Sequence, residues 1–81
     1  MIVNKKAVVW GKDNCQYCDA AIALLTLNNY NVTIKKLGID YTKEELLAVV
    51  GYVRTVPQIF INDKHIGTYS DLLDFIENDN I

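Results

Sequence analysis

Two cysteines three positions apart, Cys15 and Cys18, stand between a short apolar run and a stretch with helical periodicity. This placement constrains the chain more than any other feature. Ala7-Val8-Val9-Trp10 is continuously apolar and β-rich and stops at Gly11, the signal of a buried strand. Lys12-Asp13-Asn14 is a polar turn. From Cys15 to Leu27 the apolar residues Cys18, Ala21, Ile22 and Leu25 fall on one helical face, and Asn28-Asn29 ends the helix. A bridge between Cys15 and Cys18 would close only a tiny loop, so the chain is not a disulfide-framework mini-protein. Its 81 residues predict one domain, 1–81, whose core must be efficient for its size.

The rest of the chain continues the alternation. Asn31 to Lys36 sets Val32 and Ile34 against polar neighbours and reads as a second strand, broken at Gly38. Thr42-Lys43-Glu44-Glu45 has the spacing of a capping box, and a helix follows through Leu46, Leu47, Val49 and Val50 to a left-handed cap at Gly51. Pro57 heads a third strand, Gln58-Ile59-Phe60-Ile61, at a position where proline is tolerated. Asn62-Asp63-Lys64 is a hairpin turn, His65-Ile66 a short fourth strand, and Ser70 an N-cap for a last helix carrying Leu72, Leu73, Phe75 and Ile76. The order is β-α-β-α-β-β-α. A helical crossover makes the first two strands parallel, and a tight turn makes the last two antiparallel. The expected fold is α/β, a four-stranded mixed sheet with its three helices distributed over both faces.

Composition excludes several classes. Eight Lys+Arg against ten Asp+Glu leave a net charge of -2, which argues against nucleic acid as a partner. No apolar run approaches the roughly 18 residues of a membrane helix. The stretch Met1-Ile2-Val3-Asn4-Lys5-Lys6 puts its charges after the apolar residues and lacks a small-residue cleavage site. No signal peptide and no membrane association are expected, and the expected location is cytoplasmic.

Three readings compete for Cys15-Gln16-Tyr17-Cys18. A structural zinc site wants four Cys/His ligands. The chain has two Cys and a single His, His65, far off in a strand. Buried cysteine used as a small hydrophobe would suit Cys18 but gives no purpose to Cys15 in a polar loop. A dithiol redox centre suits both positions. Cys15 falls at a helix N-terminus, where free N–H groups and the helix dipole stabilise an anion, and Lys12 adds positive charge. Cys18 lies one turn inside, less exposed and within reach of the Cys15 sulfur. Cys15 is then the attacking thiol and Cys18 the resolving one. Asp13 in the loop and Asp19 in the first turn oppose the thiolate, with the helix end and Lys12 expected to win.

Three segments together resemble a dithiol glutaredoxin of the thioredoxin superfamily, and the resemblance covers nearly the whole chain in the right order. Trp10-Gly11-Lys12-Asp13-Asn14-Cys15-Gln16-Tyr17-Cys18 resembles the family's strand, loop and redox segment. Arg54-Thr55-Val56-Pro57-Gln58-Ile59-Phe60-Ile61-Asn62 is similar to its Thr-Val-Pro segment, and His65-Ile66-Gly67-Thr68-Tyr69-Ser70-Asp71 to its His-Ile-Gly-Gly segment. The resemblance implies a thioredoxin-like fold and a glutathione-dependent thiol–disulfide oxidoreductase with no permanently bound cofactor and no metal. Glutathione would be the reducing co-substrate. Disulfide-containing or glutathionylated proteins would be the substrates, ribonucleotide reductase among the clients the family serves, and a monomer is the expected state. It further implies that glutathione pairs with the backbone of Val56, ahead of a cis Pro57, like an added strand. Ser70 and Asp71, with the last helix's N–H groups, would receive the glutamyl end. Lys12 would face the glycine carboxylate, and Tyr17, Thr55 and Tyr69 would line the groove.

The alternatives are a small redoxin reduced by thioredoxin reductase and a non-enzymatic dimer bridging an iron–sulfur cluster. Two departures from the family pattern stand out. Gln16 replaces the common proline and restores a backbone N–H. Thr68 occupies the second glycine position, so either the backbone there differs or only Gly67 needs φ > 0. The segment near Gly38-Ile39-Asp40 is also compact for the family.

Overall fold

The computed structural model describes residues 5–53 and 55–79. Arg54, the first residue of the Pro57 segment, lies outside them, as do residues 1–4, the apolar start of the N-terminal stretch. The elements are β1 (Lys6–Gly11), α1 (Gln16–Leu27), β2 (Asn31–Lys36), α2 (Lys43–Val50), β3 (Gln58–Ile61), β4 (Lys64–Gly67) and α3 (Tyr69–Asp79). This is the expected order. The sheet runs β2-β1-β3-β4, with β1 parallel to β2 and antiparallel to β3, and β3 antiparallel to β4.

Alternation along the two central strands divides the interior in two. Ala7 and Val9 of β1 and Ile59 and Ile61 of β3 turn to one face, where they pack with Ala21 and Leu25 of α1 and Leu72 and Ile76 of α3. Val8 and Trp10 turn to the other, with Phe60, Tyr41 and the α2 residues Leu46 and Val50. The sheet is therefore covered on both faces, by α1 and α3 on one side and α2 on the other. The α1 face expected from periodicity is the one buried, except that Ile22 is only half-buried.

The ends of the elements show why they stop where they do. Both arms of the α2 capping box are made: Glu45 N–H donates to Thr42 Oγ1 at 3.2 Å, and Thr42 N–H donates to Glu45 Oε1 at 2.9 Å. The Asn28 side chain closes α1 by donating to the Leu24 carbonyl at 2.8 Å. The turn near Gly38 is closed by Lys36 N–H donating to Asp40 Oδ2 at 2.8 Å. The hairpin turn has two residues rather than three: Asn62 and Asp63 have φ of 49° and 69°, which suits the strand twist, and Lys64 already belongs to β4.

The last helix starts earlier than expected. Its cap is Thr68 and not Ser70, because the first intrahelical bond runs from Leu72 N–H to the Thr68 carbonyl at 3.0 Å. The Asp71 carboxylate decides this by accepting both the Thr68 N–H, at 2.9 Å, and its hydroxyl, at 3.0 Å. Ser70 is the second helical residue.

Candidate active site

Strand β1 brings the chain to Gly11, where the sheet ends and the turn at 12–14 leads into α1. A Cβ on Gly11 would stand 2.9 Å from Cys18 Sγ, so the strand end and the second cysteine lie this close only because residue 11 has no side chain. Two donors meet on the Gly11 carbonyl, the Tyr41 hydroxyl at 2.6 Å and Leu37 N–H at 2.9 Å. Tyr41 is buried and meets Trp10 edge-on at 4.9 Å between ring centres. Burial pushes its phenol pKa above the ordinary 10.0.

Cys15 is the N-cap of α1. Its sulfur accepts the Cys18 N–H at 3.2 Å, the role a serine or aspartate oxygen plays at other helix starts. Cys15 and Cys18 are joined in a disulfide, with Cα atoms 5.2 Å apart. Exposure follows the expected ranking but with little margin: Cys15 is 8% exposed and Cys18 3%. The Cys15 sulfur is nearly closed over, with the Val56 carbonyl 4.0 Å away. Asp13 does not face Cys15 alone. Its carboxylate pairs with Lys36 Nζ at 3.1 Å on the far side of the turn, which offsets its charge.

The Thr55-Val56-Pro57 segment faces Cys15 across this gap, and the Val56–Pro57 bond is cis. Among the described residues Val56 N–H makes no hydrogen bond, so this backbone edge is open to an incoming chain. Two hollows flank the segment, and Thr55 and Val56 line both. One, of about 560 Å³, is lined by Tyr17, Pro57, Thr68, Tyr69, Ser70 and Leu73. Tyr17 and Tyr69 form its walls with ring centres 5.8 Å apart, and Tyr17 is 64% exposed. Leu73, on the last helix, lines this hollow and is exposed. The other, of about 250 Å³, is lined by the apolar side chains of Leu46 and Val53, by Tyr41, and by Lys12 and Lys43.

The expected residues are therefore brought together around one segment. Lys12 lies at one end, Cys15 at the middle, and Tyr17, Tyr69 and Ser70 at the other. Asp71 stands beside this end, with Oδ2 held by Thr68. Gly67, at φ 127°, is the position that requires glycine, and Thr68 has no positive φ. A Cβ at residue 67 would run into the Asp71 carboxylate.

Lys43 drew no notice in the sequence because it sits inside the Thr42–Glu45 capping box, whose two bonds it does not make. Gln58 and His65 were missed as a pair, although a glutamine leading an otherwise apolar strand was a visible signal. Gln58 is buried and donates from Nε2 to the Thr55 carbonyl at 2.9 Å, while its Oε1 lies 2.8 Å from His65 Nε2.

Chemically, the arrangement is a dithiol/disulfide couple at a helix N-terminus, with an unpaired backbone edge beside it, two lysines lining the hollow on one side and the start of α3 with Asp71 on the other. The family model described as glutaredoxin matches residues 7–66. Glutaredoxin 1 of Escherichia coli is 37% identical, over 89% of this chain and 93% of its own length. The solution structure of oxidised Escherichia coli glutaredoxin superposes with a TM-score of 0.78 at 27% identity, covering 91% of this chain and 95% of its own. A buckwheat glutaredoxin–glutathione complex superposes with a TM-score of 0.70 at 26% identity, covering 93% of this chain and 71% of its own.

Proposed function

Because the chain belongs to the glutaredoxin family and is a thiol–disulfide oxidoreductase, we propose that glutathione is its reductant and binds along Thr55-Val56-Pro57. The observation that carries this reading is the open Val56 N–H beside Cys15, flanked by cations on one side and a helix N-terminus on the other. A tripeptide paired with Val56 sets its thiol toward Cys15. Its glycine carboxylate meets Lys12, with Lys43 adding a second ammonium to the same hollow. Its glutamyl carboxylate meets the N–H groups that precede the first bond of α3, at Tyr69, Ser70 and Asp71. Its ammonium meets the Asp71 carboxylate, and Tyr17, Tyr69 and Thr55 line the walls. The buckwheat glutaredoxin whose structure is similar is a glutathione complex, which supports the same ligand here.

The chemistry then follows from the two sulfurs. The Cys15 thiolate attacks a substrate disulfide, forms a mixed disulfide and releases one thiolate. Cys18 attacks the Cys15 sulfur, releases the second substrate thiolate and leaves the Cys15–Cys18 disulfide. One glutathione thiolate opens this bond at Cys15, freeing Cys18, and a second removes the first as glutathione disulfide. A glutathionylated substrate needs Cys15 alone: Cys15 takes the glutathionyl group, and another glutathione takes it off. Protein disulfides and glutathionylated proteins are the substrate classes, with ribonucleotide reductase the client that the family resemblance implies. The cytosol supplies the pool of reduced glutathione that this cycle consumes.

The test compares turnover of the oxidised protein by glutathione and by thioredoxin reductase. Glutathione should support it, and Asp71→Ala should raise the KM for glutathione several-fold. Turnover by the reductase alone, with no response to Asp71→Ala, would replace this reading with the reductase-dependent one.

A further inference from the structure

The segment that faces Cys15 belongs to neither a helix nor a strand, so something outside it must set its position. Gln58 is at the start of β3, with its backbone paired opposite Trp10 of β1 in the middle of the sheet. Its side chain is 3% exposed, and among the described residues it is the buried polar side chain outside tyrosine and cysteine. Both ends of its amide have a partner. Thr55 offers a carbonyl, which only accepts, so the amide nitrogen faces it at 2.9 Å. The amide oxygen therefore faces His65, and His65 Nε2, 2.8 Å away, must carry the proton. His65 reaches this place from β4, where it stands opposite Phe60 across a register shift, with ring centres 5.1 Å apart. Among the described residues the Thr55 carbonyl has no other donor. An apolar side chain of the same length would fill the space and hold nothing.

We propose that Gln58 and His65 are positioning residues for the glutathione groove, holding the Thr55 carbonyl so that the Val56 backbone stands ready to pair with the tripeptide. The relay runs from His65 Nε2–H to Gln58 Oε1 and from Gln58 Nε2–H to the Thr55 carbonyl. It starts at a residue more than a third exposed on an edge strand and ends one residue from the backbone that faces Cys15. Neither side chain lines the groove, so neither touches substrate. This inference rests on glutathione binding along Val56.

The experiment uses the full chain, a glutathionylated peptide and glutathione. Gln58→Met keeps the length and removes both bonds. His65→Leu removes the outer donor, and His65→Gln keeps a donor at similar reach. Gln58→Met should raise the KM for both glutathione-bearing reactants by roughly three- to tenfold, the scale of losing one positioned hydrogen bond. The kcat and the alkylation of reduced Cys15 by iodoacetamide, which needs no groove, should stay within about twofold. His65→Leu should move KM in the same direction, and His65→Gln should restore it. The ring-nitrogen shifts of neutral His65 should report the Nε2-protonated tautomer and lose that preference in Gln58→Met.

An unchanged KM in Gln58→Met, or a fall in kcat and alkylation matching the change in KM, overturns the proposal, as does an Nδ1-protonated His65. If Gln58→Met does not fold, the pair His65→Leu and His65→Gln decides in the same way. A KM that responds to Asp71→Ala but not to these variants removes the positioning role and leaves the glutathione site standing. A KM that responds to none of them removes both.

Discussion

The sharpest test of the geometry around α3 is Gly67→Ala. Gly67 sits at φ 127°, where an L side chain is strained by about 1–2 kcal/mol. A methyl group there would also stand 2.8 Å from Asp71 Cγ, well inside contact distance. The carboxylate is exposed and can swing away, but only by giving up its bonds to the Thr68 N–H and hydroxyl. Losing an N-terminal cap of this kind costs about 1 kcal/mol. Together the two effects predict a loss of roughly 2–3 kcal/mol. For a domain of this size that lowers Tm by roughly 10–20 °C. The measurement is a double-mutant cycle in urea with Asp71→Ala. In the Asp71→Ala background the collision and the cap are both gone, so Gly67→Ala should cost only its backbone strain. The coupling between the two sites should be about 1 kcal/mol. A Gly67→Ala protein as stable as wild type would refute the strain argument. A coupling near zero would refute the collision.

Two further predictions concern the cysteines and the tyrosine beneath them. Cys18→Ser should keep deglutathionylation and lose most reduction of protein disulfides, whereas Cys15→Ser should lose both; substantial activity in Cys15→Ser would overturn the assignment of the attacking thiol. Tyr41→Phe removes the hydroxyl that donates to the Gly11 carbonyl and should cost about 1 kcal/mol, modest because Leu37 N–H still bonds the same oxygen. Burial raises the Tyr41 pKa in the folded chain, so above its ordinary value of 10.0 the unfolded state loses this proton more readily. The resulting stability is fully present below pH 10.0 and is lost as pH rises through the folded value. Denaturation midpoints should fall across this range in wild type, and less steeply in Tyr41→Phe.

The features legible in the sequence were those set by neighbours along the chain. The capping box at Thr42, the helix end at Asn28-Asn29 and the helix N-terminus at Cys15 all use partners within four residues. The missed cap at Thr68 was also local. Thr68 and Asp71 have the same three-residue spacing as Thr42 and Glu45, but Ser70 is an equally good capping type, and the two bonds from Thr68 to the Asp71 carboxylate decide between them. The rest was not legible because it joins residues far apart. Tyr41 bonds Gly11 across 30 positions, and Asp13 meets Lys36 only once β1 and β2 are paired. The relay from His65 to Thr55 depends on the β3–β4 register, and no periodicity encodes a register shift.

For glutathione bound as proposed along Thr55-Val56-Pro57, the charges around the segment set the direction in which it would lie. Lys12 and Lys43 line one hollow, and the start of α3 with Asp71 stands at the other, with the Cys15 sulfur between. A zwitterionic amino-acid head needs an anion site and a carboxylate together, and only the α3 end offers both, through its leading N–H groups and Asp71. A simple carboxylate needs only cations, which the other end supplies. Reversing the peptide would bring its ammonium to two lysines and leave Asp71 without a cation. Backbone pairing at Val56 would accept a strand in either direction, so it contributes affinity without choosing between them. The choice of direction therefore falls to side chains at the ends of the groove. Exchanging the charge at Lys12, as in Lys12→Glu, should weaken glutathione binding by more than it slows alkylation of reduced Cys15 by a neutral reagent such as iodoacetamide, because the helix end still stabilises the thiolate. An equal loss in both would mean that Lys12 acts on the sulfur rather than on the peptide.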